Sequence, residues 1–111
     1  MVTKHLIVQI KASEQVLDDE LFLRNCAVDA CESAGATVIS VHSHKFSPQG
    51  VTLIVLLAES HFSIHTWPER GTAAVDLFTC GETTNPLEGL NTFATLLNGE
   101  ILESQSITRS V

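Results

Sequence analysis

The sequence predicts an α+β two-layer sandwich, an antiparallel sheet with two helices on one face, in the order β-α-β-β-β-β-α-β. Three observations carry that expectation. Two segments, one ending near Ala34 and one opening at Pro86, repeat their apolar residues at intervals of three and four. Six others alternate, or run apolar, over strand length. Four of those six follow one another with no helix between them, which suits antiparallel pairing. Such a sheet leaves one face open, so a homodimer formed by stacking sheets is expected.

The elements follow in order. "KHLIVQIKA" (Lys4 to Ala12) reads as the first strand. Between Leu17 and Ala34, the residues Leu23, Cys26, Ala27, Ala30, Cys31 and Ala34 fall on one helical face. Asp18, Asp19 and Glu20 suit the positive end of that helix, and Gly35 its C-terminal cap. Cys26 and Cys31 read as small core residues, because side chains five apart diverge around a helix and make a poor metal pair. "TVISVHSHKF" (Thr37 to Phe46) alternates as a strand, and "SPQG" (Ser47 to Gly50) is a turn. "VTLIVLLA" (Val51 to Ala58) is a central strand by its unbroken apolarity. "HFSIHTW" (His61 to Trp67) alternates until Pro68 ends it, and "TAAVDLFTC" (Thr72 to Cys80) is the next strand. Asn85 is the expected N-cap of the second helix, with Pro86 at its first position and an apolar stripe of Leu87, Leu90, Phe93, Ala94 and Leu97. Gly99 closes that helix, and Glu100 to Arg109 forms the last strand.

With 111 residues, 44% hydrophobic and 17% charged, the chain reads as a single domain, residues 1–111, able to bury a core. Thirteen acidic residues against six Lys and Arg give a formal charge of −7, which argues against nucleic acid as a partner. Three cysteines without paired spacing do not make a secreted disulfide framework. No stretch has the pattern of a secretory leader or the roughly 20 apolar residues of a membrane helix. A soluble, cytoplasmic protein without membrane partners is expected.

The densest chemistry lies in "ESHFSIHTWPE" (Glu59 to Glu69), directly after the apolar strand. Three readings compete. His61 and His65 have the spacing of a zinc motif, but that spacing shares a face on a helix, Phe62 stands where the zincin Glu would be, and no third ligand is evident, although His42 and His44 lie on a possible neighbouring strand. Ser60, His65 and a carboxylate could form a hydrolase triad, yet "AESHF" lacks the glycines of a nucleophile elbow. The third reading is decarboxylation of an amino acid, which needs an electron sink. Pyridoxal phosphate is not expected, since Lys4, Lys11 and Lys45 sit in no Gly-rich cradle. A chain can instead make its own sink. A serine hydroxyl attacks the preceding carbonyl to form an ester, loss of the serine α-proton eliminates it, and the resulting dehydroalanine hydrolyses to a pyruvoyl group.

"LLAESHFSIHTWPE" followed by "DLFTCG" resembles the short, prokaryotic form of the S-adenosylmethionine decarboxylase proenzyme family, over nearly the whole chain. The resemblance implies self-cleavage between Glu59 and Ser60, giving a β chain of residues 1–59 and an α chain of residues 60–111. It implies that Ser60 becomes the pyruvoyl group that forms a Schiff base with substrate, with no metal. It also implies that His65 is the processing base and Cys80 the catalytic proton donor, and that Thr52 assists processing. Phe46 and Trp67 match aromatic positions that sandwich adenine, and Glu69 a carboxylate that holds ribose. The implied substrate is S-adenosylmethionine, whose decarboxylated form is the aminopropyl donor of spermidine synthesis. The implied site lies at a dimer interface and draws on both protomers.

Other outcomes stay open at this point. The pyruvoyl chemistry also serves ornithine or arginine decarboxylases, and an unprocessed homologue would act as a dimeric binding subunit. Cys80 also reads as a small buried hydrophobe, and Phe46 and Trp67 as packing residues. His5 and His42 receive no role. In a regular strand Ser60 and His65 point to opposite faces, so either the backbone near residues 60–62 is irregular or His65 approaches from elsewhere in the fold.

Overall fold

The strands are β1 (Val2–Lys11), β2 (Val38–Lys45), β3 (Val51–Leu57), β4 (Ser60–Trp67), β5 (Thr72–Cys80) and β6 (Glu100–Ser110). A computed structural model describes residues 1–111 and joins these strands in one sheet, ordered β2-β3-β4-β5-β1-β6. Every neighbouring pair is antiparallel. The helices are α1 (Glu14–Leu17), α2 (Glu20–Ser33) and α3 (Pro86–Leu96). The α+β two-layer class holds, with three helices rather than two. The periodicity from Leu17 to Ala34 conceals a break at Asp18 and Asp19. Asp19 leaves helical geometry and caps α2 by accepting the Phe22 N–H at 3.0 Å. The Asp18 carboxylate turns away, accepting the Gly50 N–H at 2.8 Å and pairing with Lys45 at 3.0 Å. Those contacts hold the Asp18 carboxyl below its ordinary pKa, the Gly50 hydrogen bond first and the Lys45 ammonium second. The Asn85 cap and Pro86 opening of α3 stand as expected, with Asn85 accepting the Glu88 N–H at 3.2 Å.

Strand alternation divides the sheet into two faces. Leu6, Val8, Ile10, Leu53, Val55, Phe62, Ile64, Val75 and Leu77 point toward the helices and are buried. Phe62 meets Phe93 of α3 edge to face, centroids 5.1 Å apart, tying the middle strand to the helix layer. Helices α2 and α3 touch closely because residue 89 is glycine. A Cβ there would lie 2.8 Å from the Ala34 Cβ and 3.0 Å from the Ala30 carbonyl oxygen.

No helix covers the other face. The apolar run of β3 proves to be two-sided: Val51, Leu53 and Val55 are buried, while Ile54 and Leu56 stand 44% and 45% exposed on the open face. No helix is long and apolar enough to cross a membrane.

Candidate active site

Register shows what shares the open face. From β4 come His61, Ser63, His65 and Trp67, and across from them Thr52, Ile54 and Leu56 of β3 and Ala74, Asp76 and Phe78 of β5. His42 and His44 of β2 pair with Ile54 and Thr52, and His5 of β1 pairs with Phe78. All five histidines of the chain therefore lie on this one face. Sequence alone gave no reason for His5 and His42, since only strand pairing brings them to the same side. No group of three or more His, Cys, Asp or Glu is arranged to hold a metal ion.

The expected site residues gather in two clusters, at opposite ends of β4. At the first end, Ala58 and Glu59 form the tight turn between β3 and β4. The Glu59 carbonyl oxygen accepts the Cys80 N–H at 3.1 Å. Its carboxylate accepts the Thr37 N–H at 2.9 Å and the Thr37 hydroxyl at 3.3 Å, and the Ala58 N–H donates to the Thr37 carbonyl at 2.9 Å. The turn is thereby held at both backbone and side chain. Ser60 has φ of 156°, outside the range an L-residue ordinarily adopts. The Cys80 side chain is half-buried on the open face, next to the row where Phe78 carries a stacked His61 (5.6 Å, 9° between planes) and the Arg109 guanidinium at 4.8 Å.

At the second end, the Thr52 hydroxyl meets His65 Nδ1 at 3.0 Å across the β3–β4 pair. Phe46, Gln49, Thr52, His65, Trp67 and Glu69 line a cavity of about 320 Å³. The Phe46 and Trp67 side chains are nearly half exposed to it, and Glu69 accepts a hydrogen bond from Gln49 at 3.1 Å. Gln49 escaped the sequence reading because its turn resembled an ordinary connection. Trp67 also borders a larger concavity of about 550 Å³ on the other side, with Ile7, Gln9, Glu103 and Gln105.

One chain does not unite the clusters. The β4 register runs without a shift from Ser60 to Trp67. The irregularity at Ser60 therefore does not carry it to His65, and five residues of strand keep them about 17 Å apart. The backbone is irregular at Ser60, one of the two expected outcomes, yet this does not bring Ser60 to His65 of the same chain.

The three thiols differ. Burial pushes Cys26 up to about 11 and Cys31 up to about 12, with nearby Asp29 and Asp19 adding to the first and Glu32 to the second. Both sit in the core between α2 and the sheet, as their helical spacing indicated.

The S-adenosylmethionine decarboxylase family profile matches residues 4–110. An S-adenosylmethionine decarboxylase proenzyme of Methanococcus maripaludis is 46% identical over 109 residues, 97% of this chain and 89% of the relative. One from a Synechococcus strain is 55% identical over 87 residues, 78% of this chain and 68% of the relative. The crystal structure of the adenosylmethionine decarboxylase from Aquifex aeolicus superposes with a TM-score of 0.81 at 33% identity, over 97% of this chain and 88% of that one. Sequence over nearly its full length and fold thus agree, and the chain belongs to the S-adenosylmethionine decarboxylase family of enzymes.

Proposed function

We propose that this chain is the precursor of a pyruvoyl-dependent decarboxylase, that it cuts itself between Glu59 and Ser60, and that its substrate is S-adenosylmethionine. The observation that carries the reading is the Glu59 carbonyl. It is the carbonyl that the Ser60 hydroxyl must attack, and the Cys80 N–H already donates to it at 3.1 Å. A donor aimed at that oxygen stabilises the negative charge that develops there during attack. The unusual φ of Ser60 is backbone strain about the N–Cα bond, directly beside the peptide bond to be broken. These residues fit a serine-derived pyruvoyl group, which supplies a carbonyl that draws the electrons left behind when CO₂ departs.

His65 takes the α-proton of Ser60. When Nδ1–H donates to the Thr52 oxygen, the imidazole lone pair lies on Nε2, free to act as a base. Loss of that proton breaks the ester, releasing Glu59 as a carboxylate. The Cys80 thiol holds the proton later delivered to the substrate carbon. Phe46 and Trp67 offer aromatic faces for a purine and for the sulfonium, and Glu69 offers acceptors for ribose hydroxyls. The product is the aminopropyl donor for spermidine.

Because one chain holds the two clusters apart, the working site takes one cluster from each of two copies. A twofold axis lying between stacked open faces and across the strands reverses β4 of the partner. It sets the Ser60 end of one copy against the His65 end of the other. Exposed Ile54, Leu56 and Ile107 supply apolar surface for that contact.

Denaturing intact mass, with and without borohydride, tests the reading. Two pieces of residues 1–59 and 60–111, the second reducible, are expected, together with CO₂ release from S-adenosylmethionine. A persistently whole chain would defeat the self-cleavage, and release only from ornithine or arginine would reassign the substrate.

A further inference from the structure

Thr79 carries a hydroxyl that nothing so far uses. Its side chain is fully buried, 0% exposed, and its Oγ1 has no hydrogen-bond partner in the protein. Buried hydroxyls are ordinarily paired, so an unpaired one marks a place where a second group is expected. Thr79 stands opposite Ser60 in the β4–β5 pairing. Directly opposed residues of an antiparallel pair send their side chains to the same face, with Cβ atoms about 4.5–5.5 Å apart. The partner on its other side, Lys4, is exposed. Residue 80, its immediate successor, already donates its N–H to the Glu59 carbonyl. Two consecutive residues of β5 thus flank the Glu59–Ser60 peptide.

Resting on the self-cleavage proposed above, we infer that Thr79 is a positioning residue for that cut: its Oγ1, unpaired in the resting precursor, takes the hydrogen of the Ser60 hydroxyl as that side chain turns to aim its oxygen at the Glu59 carbonyl carbon. The bond from Ser60 Oγ to the Glu59 carbon forms, and the bond from that carbon to the Ser60 nitrogen breaks. The hydroxyl proton ends on the freed nitrogen. Thr79 begins and ends neutral, and no co-reactant is consumed. Cys80 N–H addresses the carbonyl oxygen while Thr79 addresses the attacking oxygen.

The role separates from structure by a simple criterion. An unpaired buried hydroxyl does nothing for the fold, so Thr79→Val should melt no lower than wild type. Its self-cleavage, followed by mass after pulsed cell-free synthesis, should be about tenfold slower, the size of one hydrogen bond. Thr79→Ser should restore the rate. Thr84, the other buried hydroxyl without a partner, lies in the loop before α3 and serves as control, so Thr84→Val should cut at the wild-type rate. If Thr79→Val does not fold, Thr79→Ala and Thr79→Ser make the same comparison, differing by the hydroxyl alone. Wild-type cutting in Thr79→Val, equal slowing in Thr79→Ser, or equal slowing in Thr84→Val would each overturn the inference. A wild-type chain that never cuts would defeat the self-cleavage reading and this inference with it. A wild type that cuts no faster than Thr79→Val would defeat this inference alone.

Discussion

Ser60 and His65 occupy opposite ends of one regular strand, about 17 Å apart, and His65 is bound at its own end to Thr52. In the pairing of two copies proposed above, His65 acts on Ser60 of the other copy. Co-expressing Ser60→Ala with His65→Ala makes a mixed dimer in which one site carries both defects and the other carries none. The His65→Ala chain, uncut when expressed alone, is expected to be cut in the mixture, and labelled chains resolved by mass would reveal it. Failure of the His65→Ala chain to cut in a demonstrated mixed dimer would return His65 to its own protomer.

Thr52 fixes the imidazole. Thr52→Val removes the 3.0 Å contact while keeping the β-branched shape, so sheet stability should change little. Cutting should slow by about tenfold, and Thr52→Ser should recover most of it. A normal rate in Thr52→Val would make the contact incidental.

Cys80 differs from the other thiols in exposure. Cys26 and Cys31 lie in the core with thiols raised to about 11 and 12. At neutral pH a small alkylating reagent should modify the folded chain once, at Cys80. Cys80→Ala should still cut yet lose turnover or misplace the proton, because it keeps the backbone N–H on Glu59 while losing the thiol. Full activity in Cys80→Ala would take the proton-donor role away.

The same buried thiols set an alkaline limit. Their ordinary pKa is 9.0, and the fold raises it, so above pH 9 the unfolded chain loses protons that the folded chain keeps. Stability should therefore fall as pH rises from about 9 toward 11–12. Urea midpoints measured across that window should decline less steeply in the Cys26→Ala, Cys31→Ala chain. An unchanged slope would place the alkaline loss elsewhere.

Trp67 is nearly half exposed beside Phe46, His65 and Glu69. Trp67→Ala should weaken S-adenosylmethionine binding by about 1–3 kcal/mol, the range of a base stacked on an aromatic ring, and slow cutting much less. Calorimetric titration of the cut enzyme checks the first and intact mass the second. Equal binding would reassign Trp67 to packing.

Much of this architecture was legible in the chain. Alternation in β1, β2, β4 and β5 and the three-and-four spacing around Cys26 and Phe93 are local signals, and they gave the class and element order. The break between α1 and α2 was not, because Asp18 answers to Gly50, 32 residues away. The shared face of His5, His42 and His61 depends on register across five strands, and no local pattern encodes it. Alternation did warn that Ser60 and His65 diverge. What it lacked was the knowledge that β4 stays in register throughout, which turns divergence into separation. The unpaired hydroxyl of Thr79 was invisible for a related reason: a threonine on a buried strand reads as a good β residue until its neighbours are known.

The strand order bears on what a cut after Glu59 would leave behind. Strand β1 belongs to the first piece, while both its neighbours, β5 and β6, belong to the second. To part, the pieces would have to pull a strand from between two others, breaking ladders on both sides and uncovering Leu6, Val8 and Ile10. The nicked protein is thus knitted together without its peptide bond. Its unfolding separates two molecules where the precursor's yields one, so the melting point of the cut form should depend on protein concentration even within a protomer. The contact between Cys80 and Glu59 sets the order expected of the proposed cut. The Cys80 N–H reaches the Glu59 carbonyl only after β5 has paired, so a scission that uses this contact would follow folding.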